Sequence, residues 1–246
     1  MTMIEVGHFQ TYGWESAVRG MRNPMNSWDK SDSHQCVVTD GQCPKGDKCY
    51  LYDSIKGCAL GLGGYVLGEN DLGLMKRLCS THSADDRKFL RQIFVTCDIT
   101  APLYWWKEMD QYKVGTVTNS CSTMHKISSK RFVLSDFSVE HLTANPVWTN
   151  YNGDDAYSDS PIENFRRTLA MLNTLREAYL ETKSKDVWWQ MIQLLPSSYN
   201  QKRTWSANYE VLHNIYHARK NHKLDEWREF CKIIEGLPYA KELICG

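Results

Sequence analysis

Apolar positions along the chain recur with two different periods, and the places where the period changes divide it into elements. Met3–Phe9 alternates as a short strand, and Glu15–Arg22 has the three-to-four spacing of a helix with Val18 and Met21 inward. Ser31–Gly68 has no period and is rich in Asp, Gly, Ser and Lys, which predicts a loop insertion. The helical period returns over Asn70–Ser80, with Asn70 or Asp71 as N-cap and Leu72, Leu74, Met75 and Leu78 on the buried side. Phe94–Thr100 alternates as a strand. Pro102 then suits the first turn of a helix, where its missing amide proton costs nothing. Lys130–Phe137 reads as a further extended segment, and Asn145–Pro161 as a polar loop between two halves.

Beyond that loop the period is helical. Ile162–Thr182 is a long amphipathic helix carrying Phe165, Leu169, Leu172, Leu175 and Tyr179 on one stripe, and Trp188–Leu195 is a second helix. Pro196 ends it, since proline cannot continue a helix and biases the residue before it towards extended geometry. Thr204 or Ser206 offers a hydroxyl to the unpartnered first amides of a helix that runs to about Asn221, with Leu212, Ile215 and Tyr216 recurring along it. Trp227–Leu237, with Phe230, Ile233 and Ile234, is the last helix. The pattern is that of an α+β protein with a strand-and-helix N-terminal half and a helical C-terminal half. It is read as one domain over 1–246 with a cysteine-containing insertion at about 31–68.

Composition narrows the partners. At 246 residues the chain is long enough for a real core, and its 29 Lys and Arg balance its 29 Asp and Glu. A neutral chain is not a general polyanion binder, because that affinity comes from neutralising phosphates, so no DNA or RNA partner is expected. No apolar run approaches the roughly 20 residues of a membrane span, and the start of the sequence lacks the basic flank and apolar stretch of a signal peptide. A cytoplasmic protein is expected, with its nine cysteines reduced. Cys36, Cys43, Cys49 and Cys58 fall in the insertion without the paired spacing of a zinc site, so free thiols or a stray disulfide are expected there and no metal. Trp105, Trp106, Trp188 and Trp189 read as core or interface residues.

Asn208 and Arg219 lie eleven residues apart, three helical turns plus roughly 20°, on the face of Leu212 and Ile215. Taken alone, Arg219 reads as the partner of a carboxylate on a neighbouring helix and Asn208 as the cap of a turn. Together with Leu195-Pro196, Trp205, Leu212 and Asn214, however, they resemble the C-terminal signature of the flavin-dependent thymidylate synthases, LPxxxYTxxxWTxNxRxLxNFLxLR. The spacing matches from Pro196 to Arg219 without a gap, with Tyr199 one place early. By that resemblance Asn208 and Asn214 contact a flavin, and Arg219 lies against a pyrimidine. The signature's arginine two places after the first asparagine is Glu210 here. The arginine four places before the proline, which grips the substrate phosphate in that family, is Ile192.

Three other stretches carry the resemblance. AVRGMRNPMNSWDKSDS is similar to an early family segment, with Arg19 and Arg22 in place and Pro24 where a flavin-contacting serine stands. THSADDRKF falls near a flavin-touching histidine segment and offers His82, but the rest of that segment's motif is absent. Ala101–Lys107 resembles the helix leading into the family's defining motif RHRxxSxNxxSxRY, which falls on Gln111–Met124, QYKVGTVTNSCSTM. There Gln111, Tyr112 and Lys113 replace Arg-His-Arg, Thr116 and Cys121 replace the two serines, and Thr118 replaces the asparagine, with Asn119 one place late. The closing Arg-Tyr becomes Thr123 and Met124. Only one of three cations survives, as a lysine where a planar fork stood.

The resemblance implies the fold of that family and a homotetramer, in a bacterium or a phage. It implies FAD as cofactor, with room for NADPH and a folate one-carbon donor, and a pyrimidine nucleotide such as deoxyuridylate as substrate. The expected activity is methyl or hydroxymethyl transfer to pyrimidine C5; the competing expectations are a non-catalytic homologue that binds nucleotide or flavin, and a structural or assembly protein. The expected catalytic residues are Arg219 and Cys121. Gln111, Lys113, Ser120, Ser122 and Arg219 are expected at the substrate, and His82, Tyr112, Thr116, Asn119, Asn208 and Asn214 at the flavin. Cys121 has two readings: a small buried thiol in the serine's place, or a nucleophile for pyrimidine C6 activated by a neighbour such as Lys113 or Arg219.

Overall fold

The structure, a computed structural model, describes residues 4–35, 52–53, 57–58, 65–81, 83–150 and 156–246. The chain opens with strand β1 (Glu5–Tyr12) and helix α1 (Trp14–Arg22), followed by the two-residue strands β2 (His34–Gln35), β3 (Tyr52–Asp53), β4 (Gly57–Cys58) and β5 (Tyr65–Val66). Helix α2 (Glu69–Cys79), strand β6 (Phe94–Pro102), helix α3 (Leu103–Met109), strand β7 (Val117–Ser120) and helix α4 (Thr123–Lys126) come next. A hairpin of β8 (Val147–Asn150) and β9 (Ala156–Asp159) precedes α5 (Pro161–Thr182) and α6 (Lys185–Leu194). Strand β10 (Asn200–Asn208) and helices α7 (Tyr209–Arg219), α8 (Asp225–Glu235) and α9 (Ala240–Leu243) complete it. Among the described residues the main sheet has the order β1-β6-β10-β7, and the mixture of helix and strand is the α+β class expected.

The described residues fall into two compact units: one from within 1–5, 99–111 and 119–203, the other from within 6–98, 112–118 and 204–246. In the first, Ile127, Phe132, Phe137, Leu172 and Met191 form a buried apolar cluster, with Phe165, Leu169, Leu175, Tyr179, Trp188 and Ile192 packed against it. The stripe of α5 therefore faces inward as its period predicts. Asn173 interrupts that stripe for a reason. Its side chain accepts from the Phe132 amide at 2.9 Å and donates to the Phe132 carbonyl at 3.0 Å, as a strand neighbour would. Residues 130–137 thus have a side-chain partner and form a loop with a short 3₁₀ turn at Leu134–Asp136, where a longer extended segment was expected. Trp105 and Trp106 are fully buried, whereas Trp189 is 43% exposed and is no core residue of this chain.

In the second unit, Trp14 meets Tyr209 and Tyr239 edge-on at 5.2 and 5.3 Å, and Val18, Leu212, Ile215 and Phe230 are buried in the same unit. Neither Asn70 nor Asp71 caps α2. Gly68 holds the N-cap position, and the Asp32 carboxylate accepts from the amides of Asn70 at 2.9 Å and Asp71 at 3.1 Å. Asp71 is buried instead. It takes Arg22 Nε at 2.6 Å, the hydroxyls of Ser31 and Ser33, and the amides of Asp32 and Ser33. Burial alone would raise its pKa, but the hydrogen bonds from Ser33, Ser31 and Arg22 outweigh it and hold the carboxyl below its usual range. Of the four apolar residues expected to be buried on α2, Met75 is, and Leu72, Leu74 and Leu78 are half-buried.

Two further expectations are corrected. The polar loop at Asn145–Pro161 contains the β8–β9 hairpin. The helix expected to start at Thr204 or Ser206 starts at Tyr209, because 200–208 is strand: Gln201, Trp205 and Ala207 are buried while Lys202 and Thr204 are exposed. The cap is Asn208, whose side chain accepts from the Val211 amide at 3.0 Å.

Candidate functional site

The second unit brings four of the expected residues together. Helix α7 ends at Arg219, whose Nε donates to the Tyr112 hydroxyl at 2.9 Å. Its guanidinium carbon lies 4.7 Å from the centre of the Trp227 ring and 5.6 Å from that of Tyr112. Two aromatic faces and a hydrogen bond therefore fix a half-buried cation, each cation–ring contact contributing about 0.5–1 kcal/mol. Tyr112 is held in turn by a tight turn, in which the Thr116 hydroxyl donates to the Tyr112 carbonyl at 2.5 Å. Gly115 makes that turn with a φ of +76°, and a Cβ there would stand 2.9 Å from Asn208 Nδ2 and 3.3 Å from Val211 Cγ2. Glycine is needed for both conformation and space. The turn that replaces Arg-His-Arg thus packs on the start of α7 at Asn208, and its Tyr112 holds the Arg219 side chain. Lys113, beside Tyr112, is exposed, as is Asn214 on α7, whose side-chain oxygen is 3.4 Å from His213 Nδ1.

A second feature of the same unit is a cavity of about 830 Å³. It is lined by Met21 at the end of α1 with Asn23 and Pro24 just after it, by Leu74 and Leu78 of α2, and by Asp85, Lys88 and Phe89 beyond α2. The residues around the end of α1 belong to the stretch similar to an early segment of the synthases, and those beyond α2 follow the position of their flavin-touching histidine. His82, the residue expected there, lies outside the described residues. The volume is within the roughly 300–1,000 Å³ usual for small-molecule sites, and the apolar floor with a few polar groups is their usual lining. Met21, Leu74, Leu78 and Phe89 suit the faces of a ring system; Asn23, Ser27 and Gln92 suit its polar edges. The lining fits the ring system of a flavin better than a diphosphate, because Asp85 and Asp86 oppose the charge of Lys88.

The first unit holds two further candidates, Cys121 and Ser122, in a cleft of about 420 Å³. Cys121 lines it and is exposed, so it is not the small buried thiol of the first reading. Its backbone is fixed on both sides. The Cys121 amide donates to the Lys202 carbonyl at 2.9 Å, and the Cys121 carbonyl accepts from Gln201 Nε2 at 2.8 Å. Gln201 is buried and positioned by Arg203, whose Nε donates to Gln201 Oε1 at 2.9 Å. Arg203 is clamped by Asp110 at 2.8 Å and by the Trp106 face at 4.3 Å. Ser122 caps α4 and also lines the cleft, together with Lys126, Lys130 and Lys202. Burial raises the pKa of Tyr199, with Lys130 opposing; a hydrogen bond to Asp136 raises that of Lys130. Gln111, Asn119 and Ser120 are exposed. Ile192 packs against the apolar cluster, so a phosphate grip from that position is lost.

Sequence reasoning missed Gln201 and Arg203, which become legible only once β10 is recognised as a strand. It also noted Glu210 only as a departure. Glu210 is buried on α7 and faces Arg87 at 3.6 Å.

No family model matches the chain, and no curated protein matches it by sequence. Solved structures do. The flavin-dependent thymidylate synthase ThyX from Helicobacter pylori, complexed with FAD and dUMP, superposes with a TM-score of 0.60 at 16% identity, over 98% of this chain and 97% of that one. A UMP/dUMP methylase, PolB from Streptomyces cacaoi, bound with 5-Br dUMP, does so with a TM-score of 0.52 at 12% identity, over 94% of this chain and 87% of that one. At such identities the likeness establishes the fold, which is that of the flavin-dependent thymidylate synthases, as the signature residues implied.

Proposed function

We propose that this chain is a flavin-dependent enzyme that transfers a methyl or hydroxymethyl group to C5 of a pyrimidine nucleotide such as deoxyuridylate. The observation that carries the reading is the 830 Å³ cavity, because it is lined both from the stretch that resembles an early segment of the synthases and from the stretch that follows the expected flavin-touching histidine position. The neighbours named above were crystallised with FAD and dUMP or with a brominated dUMP, which supports the same ligand classes here. A flavin bound in the cavity would supply the hydride that reduces the C5 adduct. Met21, Leu74 and Phe89 would hold its ring and exclude water, with Asn23 and Gln92 at the polar edges.

Arg219 is the proposed electrophile. A cation already fixed by Tyr112 and Trp227 draws electron density towards a pyrimidine carbonyl without reorganising during the reaction. Charge held ready in this way accounts for most of the rate enhancement in many enzymes. Asn208 and Asn214 are the proposed flavin contacts of α7, with Tyr112 and Thr116 ordering the turn beside Asn208. In the first unit, the exposed Cys121 thiol is the proposed nucleophile towards pyrimidine C6, with Ser120 and Ser122 as substrate-facing neighbours. Addition there would leave C5 as an enolate carbon that bonds to the one-carbon unit of a folate donor. Loss of the C5 proton would expel the folate amine and leave an exocyclic methylene. Addition of hydride to it, or of hydroxide for a hydroxymethyl product, would expel the thiolate from C6. A homotetramer in a bacterial or phage-infected cytoplasm belongs to the same proposal. Among the described residues no helix is long and apolar enough to cross a membrane.

The test is to purify the protein from its native host, record its visible spectrum and identify the small molecules it releases by mass spectrometry. Bound flavin, together with release of tritium from 5-tritiated deoxyuridylate, is the expected result. Colourless protein whose melting temperature responds to neither FAD nor a pyrimidine nucleotide would overturn the proposal.

A further inference from the structure

The pair formed by Arg87 and Glu210 is unusual in being buried and unfinished. The side chains are 12% and 9% exposed, and their nearest charged atoms are 3.6 Å apart, beyond hydrogen-bonding distance. Arg87 Nε and Glu210 Oε2 are both buried without a hydrogen-bond partner among the described residues. Such atoms cost free energy, since a buried ion pair repays its lost hydration only with good geometry and further hydrogen bonds. The guanidinium is not loose: its Nη1 donates to the Thr81 carbonyl at 3.2 Å. Its neighbours in sequence, Asp85, Asp86, Lys88 and Phe89, line the 830 Å³ cavity, whereas Arg87 itself reaches α7. Glu210 lies on α7 between Asn208 and Asn214. One imperfect ion pair therefore ties the cavity wall to the helix that carries the proposed flavin contacts and Arg219. The synthase signature has an arginine at position 210, where this chain carries the glutamate.

We infer that Arg87 is a positioning residue of the cofactor cavity: paired with Glu210, it holds the Asp85–Gln92 wall against α7 and stands in for the guanidinium that the signature places on the helix. The inference rests on the flavin reading above. Single substitutions confuse folding with binding, because an unpaired buried charge destabilises the fold. The decisive variants are therefore doubles. Arg87→Met with Glu210→Leu removes both charges and is expected to keep the melting temperature of the wild type. Arg87→Glu with Glu210→Arg returns the guanidinium to the helix.

Titration of apoprotein with FAD, followed by quenching of flavin fluorescence, gives the readout. The apolar double is expected to bind FAD about tenfold more weakly than wild type, the loss typical when a supporting partner of a binding group is removed. The reversed pair is expected to recover most of that loss, and a purely packing role would not predict this recovery. If the apolar double folds and binds FAD as tightly as wild type, the positioning role is refuted. If the wild type binds no FAD, the flavin reading fails first and this inference falls with it.

Discussion

Two buried arginine–carboxylate pairs in the same unit were built to different standards. Arg22 and Asp71 meet at 2.6 Å, and the Asp71 carboxylate is filled by two serine hydroxyls and two backbone amides as well. Arg87 and Glu210 stand 3.6 Å apart, each with an atom left unbonded. The first pair is a finished joint that fastens residues 31–33 onto the start of α2. The second sits beside the proposed cofactor cavity and gives up hydrogen bonds that the first does not. Buried charge is thus no single quantity in this molecule, and the completeness of its hydrogen bonding separates the structural pair from the one with a further task.

Mutation can break that contrast or sharpen it. The largest effect is expected from Asp71→Ala, which leaves Arg22 buried and unpaired and should cost about 3–5 kcal/mol in urea unfolding. Glu210→Gln keeps the shape and one acceptor, so about 1–3 kcal/mol is expected by the same measurement; equal losses at the two sites would erase the distinction. Arg219→Lys, which keeps the charge but loses the planar stack on Trp227, should weaken nucleotide binding about tenfold, or about 1.4 kcal/mol, in calorimetric titration. Asn208→Ala removes a helix cap and should cost about 1 kcal/mol.

Acid sharpens the comparison further. The folded pKa of Asp71 lies below its ordinary value of 3.8, so its contribution is present above that pH and is lost as pH falls through the lower folded value. Unfolding curves followed below pH 3.8 should therefore be flatter for Asp71→Asn than for wild type.

What the sequence made legible follows from how local each cause is. The helices α1, α5, α6 and α8 were visible because their stripes are read within a few turns, and the Pro196 break because proline acts on its own neighbourhood. Strand β10 was not. Its inward positions include Gln201 beside Trp205 and Ala207, so alternation by polarity was blurred, and Thr204 and Ser206 imitated a cap that Asn208 in fact provides. The cap of α2 came from Asp32, far back in the chain, and no local rule locates it. Among the candidate residues, the contact of Tyr112 with Arg219 joins distant parts of the chain, and no local pattern implied it. Glu210 looked like a plain loss until Arg87 was seen facing it, across a separation no periodicity spans.

The joint at Asp32 and Ser33 has a practical consequence. Just beyond it the chain is already closed on itself, with His34 opposite Val66 and Gln35 opposite Tyr65. Polypeptide leaving at Gln35 and returning at Tyr65 starts and finishes at neighbouring points, and the entropy of spanning such points grows only slowly with length. Changing the number of residues between Gln35 and Tyr65 is therefore expected to alter stability only slowly, provided that Asp32, Ser33 and the two bridging pairs are left intact.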